Sequence, residues 1–134
     1  MPVRARIFLV FGSLALLLAV AMGAFGAHLL KMRLTPEMMA VYETAVHYHF
    51  YHALGLLAVG LLVLHVPAAA LLGWAGGLMA AGLILFCGSL YALSLSDVRG
   101  LGMITPVGGL AFIVAWLLLA VAVWRAKPPL TVKP

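Results

Sequence analysis

Residues 35–64, TPEMMAVYETAVHYHFYHALGLLAVGLLVL, decide the fold of this chain. The stretch opens with Thr-Pro-Glu, which supplies the hydroxyl N-cap, first-position proline and first-turn acid typical of a helix start. A helix over residues 36–64 would be about 43 Å long at 1.5 Å per residue. Because a bilayer has only about 30 Å of hydrocarbon, we expect residues 36–44 to form an interfacial helix start, and residues 45–64 to cross the membrane.

The composition of the whole chain is that of an integral membrane protein. Of its 134 residues, 66% are hydrophobic and only 8% are charged, whereas about a quarter of the residues are charged in soluble domains. The charges leave four apolar runs, each near the length of about 20 residues that a span requires. The sequence therefore predicts an all-α fold, an integral membrane four-helix bundle with antiparallel helices. The basic residues flank the spans, so we expect lipid contacts and no nucleic-acid partner.

The remaining spans are bounded by charged and proline-containing segments. We predict them at about residues 7–29, 68–94 and 106–125, within a single domain of residues 1–126, and we predict a flexible basic tail at residues 127–134. Small residues recur at every fourth position of two spans, which predicts faces where another helix approaches closely. These residues are Ala15, Ala19, Gly23 and Ala27 in the first span, and Gly73, Gly77 and Ala81 in the third.

The distribution of basic residues predicts the orientation of the bundle. With four spans, the two termini share a side that carries five basic residues and no acid, whereas both signs of charge occur on the other side. The positive-inside rule then places both termini in the cytoplasm. The polar starts of the second and fourth spans would face outward.

Histidine and tyrosine side chains gather at this outward-facing end. At 100° per residue, Tyr48, Tyr51 and His52 share a broad face of the second span, and His28 at the end of the first span reaches a similar depth. Ionisable groups at membrane depth usually face the bundle interior or water and often mark function. The outward-facing end is therefore the candidate site, with lipid or quinone binding and plain interfacial hydrogen bonding as alternatives.

Metal binding and catalysis find little support in the same residues. His47 and His49 point about 160° apart on a helix, so one ion cannot take all three histidines of the second span. A pair of Glu43 and His47 with His28 stays open, although its spacing matches no recognised metal site. The chain has no nucleophile paired with a base, no phosphate-binding loop and no pair of intramembrane carboxylates, so we assign no catalytic residue, metal or cofactor.

Four motifs give the chain a resemblance to a known family. They are GAFGAH at 23–28, Tyr48 with His-Ala-Leu at 52–54, GSLYAL at 88–93, and TPVGG at 105–109 followed by Phe112 and Trp116. In this order they resemble the YgdD-like family of small bacterial inner-membrane proteins of unknown function, over about residues 7–125. The resemblance implies four spans and an inner-membrane location, and it brings no known activity.

The family motif supplies the candidate ligand-binding residues, while His47 and His49 stand outside it. The candidates are His28, Tyr48, His52, Ser89, Tyr91 and Thr105. We expect a non-enzymatic accessory protein that binds lipid or a protein partner through this outward-facing cluster. One alternative is a quinone-, haem- or metal-dependent membrane redox protein that uses the same residues. Another is a small transporter or channel formed by oligomerisation through the small-residue faces. The same faces could contact a second copy of the chain in a homo-oligomer or another protein partner.

Overall fold

The computed structural model describes residues 1–66 and 70–126, and within these ranges the chain is helical and contains no strand. Four of its helical segments are long and apolar enough to cross a membrane. This confirms the predicted all-α, four-helix membrane architecture. The predicted basic tail at residues 127–134 and the predicted start of the third span at Ala68 lie outside the described residues.

The four spans are assembled from five α-helices, two π-helical turns and one short 3-10 helix. The spans are Val3–Leu30, Pro36–His65, Ala70–Ser96 and Arg99–Trp124. Within them lie α1 (Val3–Phe25) with a π turn (Gly26–Leu30), α2 (Pro36–His65), α3 (Ala70–Gly82), a second π turn (Leu83–Cys87), α4 (Gly88–Ser96), a short 3-10 helix (Arg99–Met103) and α5 (Thr105–Trp124).

The second span is one continuous helix. The Thr35 hydroxyl accepts a hydrogen bond from the backbone N–H of Met38 at 3.2 Å, and Pro36 occupies the first helical position, as the sequence predicts. The helix then runs without a break through Tyr42 to His65. Its 30 residues make it about 45 Å long, so α2 either tilts in the bilayer or extends beyond it at the Pro36 end.

Helix α2 is the central element of the bundle. Helix α1 packs against one side of it, while α3 packs chiefly against α5. Gly26 approaches the ring of Tyr42 at one end of the α1–α2 pair, and Gly60 approaches Leu9 at the other end, so the two helices run antiparallel. We call the end with Gly26 and Tyr42 the loop end, because the chain turns there from the first span into the second.

Small residues allow close helix contacts, but not all at the predicted positions. In α1, Ala15 and Ala19 are buried as the four-residue spacing predicts. In α3, Gly76 faces the ring of Phe8 and Gly82 faces the ring of Phe112, whereas nothing described lies within 4 Å of a Cβ built at Gly77. The contact face of α3 is therefore displaced from the predicted one, and Gly77 stays open within the chain.

Candidate functional site

The candidate residues on α2 belong to an aromatic cluster that joins α2 to α5. The His52 side chain is buried, and its ring stacks on Phe112 with centroids 3.4 Å apart. Its Nδ1–H donates to the Tyr48 carbonyl at 2.7 Å, since a carbonyl can only accept. The Tyr48 ring stacks on Phe86 at 4.6 Å and stays 40% exposed. These rings fill the space between helices, and that makes the cluster a packing element.

A hydroxyl pair joins the third span to the start of α5. The Ser89 hydroxyl donates to the Phe86 carbonyl at 3.0 Å, and 2.7 Å separates Ser89 Oγ from Thr105 Oγ1. Because Ser89 has a single hydrogen, Thr105 must be the donor within the pair. The backbone of Gly108 lies directly against the backbone of Phe86. The TPVGG motif thus serves close packing here, and its threonine hydroxyl is already engaged.

Tyr91 contacts a neighbouring part of the α2 surface and pairs there with His49. The distance from Tyr91 Oη to His49 Nδ1 is 3.2 Å, and the ring of His49 also lies beside the backbone of Ala15 on α1. Tyr42 packs edge-on against Tyr91 with centroids 5.2 Å apart, and its hydroxyl donates to the Met22 carbonyl at 2.6 Å. Hydrogen bonds and ring contacts therefore tie α1, α2 and α4 together at this level.

The structure thus divides the candidate residues among three places. Tyr48 and His52 lie together in the aromatic cluster, Ser89 and Thr105 form the hydroxyl pair, and Tyr91 lies with His49. His28 is exposed in the π turn that ends the first span and takes no part in these contacts. Among residues 1–66 and 70–126, no group of three His, Cys, Asp or Glu side chains could hold a metal ion.

An apolar cleft of about 420 Å³ lies over the Tyr91–His49 pair. We call it the lateral cleft. It is lined by Phe11, Leu14, Ala15 and Leu18 of α1, His49 of α2, and Leu83, Ile84, Cys87, Gly88 and Tyr91 of the third span. Leu14 and Ile84 are more than half exposed. Since they belong to membrane-spanning helices, the cleft opens sideways towards lipid.

His49 is the residue of this cleft that sequence reasoning missed. It stands outside the family motif, and the angle between His47 and His49 argues only against a shared metal ion. A usable signal was present: Tyr42, Ala45, His49 and Leu56 are buried at helical spacing, so His49 occupies a position of the inward-facing stripe. A polar residue in such a stripe indicates a partner inside the bundle, and the structure supplies Tyr91.

Comparison with known proteins places the chain among uncharacterised membrane proteins. A family model described as a protein of unknown function (DUF423) matches residues 22–109. The chain is 45% identical over 117 residues to the UPF0382 membrane protein YwdK of Bacillus subtilis, covering 87% of this chain and 95% of that relative. It is 42% identical over 120 residues to a UPF0382 membrane protein of Staphylococcus haemolyticus, covering 90% and 97%. No solved structure matches it.

Proposed function

We propose that this chain, which belongs to the DUF423 family of membrane proteins of unknown function, is a non-enzymatic accessory protein that binds a neutral lipid in the lateral cleft. The observation that carries the proposal is the Tyr91–His49 pair within an apolar cleft that opens to the membrane. Ligand sites typically combine such apolar walls with a few placed polar groups.

The chemistry of the cleft selects the class of ligand. Its lining contains no Asp, Glu, Lys or Arg, and an unpaired charge at membrane depth is costly. A charged headgroup is therefore excluded, whereas a long apolar chain fits the leucine and isoleucine walls. The ligand we expect is a neutral lipid with one carbonyl or hydroxyl group.

The Tyr91–His49 pair has one hydrogen to offer this group. A neutral imidazole carries one N–H and a tyrosine one O–H, and their mutual bond uses one of the two, whichever residue donates. The Ala15 carbonyl beside the His49 ring has a second lone pair and competes for the imidazole hydrogen. In the tautomer in which His49 Nδ1–H donates to Tyr91, the Tyr91 hydroxyl keeps its own hydrogen free. A carbonyl oxygen of a bound lipid would accept the remaining hydrogen.

A second candidate function, a quinone-dependent redox protein, is favoured by the same observation. An isoprenoid quinone is neutral, carries carbonyl acceptors and has a long apolar chain, so it meets each requirement of the lateral cleft. The mass of the bound ligand separates this candidate from the first.

The cellular setting is part of the proposal. Basic residues near both termini, including Arg4, Arg6 and Arg125, favour cytoplasmic termini by the positive-inside rule, in the inner membrane of a bacterial cell. The resemblance to YgdD-like proteins supports the same location.

The open face at Gly77 and the neighbouring small residues of α3 would accept a second copy or another membrane helix.

A matched pair of glycine substitutions tests the proposed site. Gly88 and Gly77 are both exposed positions of the third span, and nothing described lies within 4 Å of a Cβ at either one. Only Gly88 lines the cleft. Native mass spectrometry of gently extracted full-length protein should show a bound neutral lipid in the wild type and Gly77→Leu, but not in Gly88→Leu. Retention of the lipid by Gly88→Leu, or an empty wild type, would refute the proposal.

A tyrosine substitution tests the hydrogen bond separately. Tyr91→Phe keeps the ring and removes the hydroxyl, so it should weaken lipid retention by the worth of one hydrogen bond. That loss is about 1 kcal/mol, or roughly five-fold in affinity. Unchanged retention in this variant would leave the apolar cleft without a polar anchor and contradict the assigned role of Tyr91.

A further inference from the structure

A second pocket, of about 370 Å³, lies at the loop end of the first two spans. Gly23 and Gly26 form one wall, and α2 forms the other with Glu43 and His47, while Lys31 completes the lining. We call it the loop-end pocket. It shares no lining residue with the lateral cleft, so it is a separate site.

The loop-end pocket carries two charges of opposite sign. Lys31 follows the π turn of the first span, Glu43 lies in the third turn of α2, and both side chains are exposed. Among the described residues, neither forms an ion pair within 4.0 Å. His47 is the one further titratable group of the lining besides Tyr42, whose hydroxyl is bonded to Met22. The pocket therefore offers a cation and an anion to a ligand that carries both charges.

Its depth fits the headgroup layer of a bilayer. Lys31 directly follows the first span, and Glu43 stands where the polar beginning of α2 gives way to its apolar part. Phosphate and amine groups of lipids lie at this level, with their acyl chains directed into the hydrocarbon. Val46 and Ala27 give the pocket an apolar side towards those chains.

We propose that the loop-end pocket binds the headgroup of phosphatidylethanolamine. The Lys31 ammonium pairs with the lipid phosphate, and the Glu43 carboxylate accepts hydrogen bonds from the primary amine. Phosphatidylglycerol has no cation for Glu43, and the quaternary amine of phosphatidylcholine has no N–H to donate. Complementary charge thus predicts a preference over phosphatidylglycerol, and hydrogen bonding to Glu43 predicts a preference over phosphatidylcholine.

The test measures which phospholipid stays with the purified chain. The full-length protein is reconstituted with equal amounts of phosphatidylethanolamine, phosphatidylcholine and phosphatidylglycerol that share the same acyl chains, and its bound lipids are counted by native mass spectrometry. We expect the wild type to retain the ethanolamine lipid roughly five-fold over the choline lipid, the effect of about one hydrogen bond. Equal retention of the two lipids would overturn the proposal.

Three charge-neutralising variants locate the effect. Glu43→Ala removes both the charge and the acceptor, so it should abolish the preference between ethanolamine and choline lipids, and Lys31→Gln should lower retention of all three phospholipids. Glu37→Ala is the matched control, because Glu37 is an exposed acid of the same helix that does not line the pocket. A preference that survives in Glu43→Ala, or is lost in Glu37→Ala, would refute the assignment. Gly88→Leu should leave the preference unchanged, so failure of the lateral cleft and failure of this pocket are distinguishable.

Discussion

Substitution of the two adjacent glycines at the start of α5 should have opposite effects on stability. A Cβ added at Gly108 would lie 2.8 Å from the Cα of Phe86, much closer than the roughly 3.5–4.0 Å of an optimal carbon contact. A Cβ added at Gly109 would lie 3.6 Å from the Phe86 ring, which is an ordinary contact. Alanine at position 108 must therefore push α5 away from the π turn, whereas alanine at position 109 fits in place.

The magnitude follows from two opposing terms. Replacing a helical glycine by alanine stabilises by about 0.5–1 kcal/mol at either position, while overpacking costs roughly 1–3 kcal/mol at position 108 alone. The helix term cancels in the comparison, so the two variants should differ by roughly 1–3 kcal/mol. At on the order of 3 °C per kcal/mol for a chain of this length, Gly108→Ala should melt about 3–9 °C below Gly109→Ala.

Thermal unfolding of both variants in the same detergent, followed by circular dichroism, measures this difference. We expect Gly109→Ala to melt at or above the wild-type temperature and Gly108→Ala to melt below it. Equal melting temperatures for the two variants, or the reverse order, would show that the backbone contact with Phe86 does not limit this position.

Three further substitutions test single contacts by the same measurement. Thr105→Val removes the donor to Ser89 and should cost about 1 kcal/mol, whereas Thr44→Val, at an exposed hydroxyl that bonds only the carbonyl of its own helix, should change little; equal losses would contradict the hydroxyl pair. Asp97 has a left-handed backbone with φ of 56°, so Asp97→Gly should be neutral or stabilising and Asp97→Ala should destabilise by about 1 kcal/mol; the opposite order would refute this reading. Thr35→Ala removes the N-cap of α2 and should cost about 1 kcal/mol, with Thr35→Ser as the variant that keeps the acceptor and should melt near the wild type.

The helices were predictable because a membrane leaves the backbone few alternatives. Backbone polar groups in hydrocarbon must bond within the segment, so a long apolar run without charges becomes a helix. The Thr35 cap was equally visible, since it depends on residues three positions apart. The rotation of α4 relative to α3 was not visible, because it depends on the π turn at Leu83–Cys87, which has no pattern of its own in the sequence.

The candidate site was predictable only in part. Motif residues were chosen by type and depth, and the structure does engage Tyr48, His52, Ser89, Tyr91 and Thr105 in contacts between or within helices. Which residue meets which was not available from one chain, so the sequence merged three separate groups into one cluster. The partnership of Tyr91 with His49, 42 positions apart along the chain, depends entirely on how the third span is rotated against α2.

The π turn at Leu83–Cys87 sets that rotation. A π turn carries its hydrogen bonds from i to i+5, one residue wider than the α-helical repeat. It therefore changes the direction in which the side chains of α4 point relative to those of α3. Removing one residue there would restore the α-helical repeat and turn α4 by about 100° relative to α3. Tyr91 would then leave the lateral cleft while Gly76 and Gly82 kept their aromatic neighbours. The third span therefore consists of two helical segments, α3 and α4, whose relative rotation is set by one additional residue in the π turn. A deletion in this turn would change that rotation, whereas a substitution would leave the number of residues unchanged.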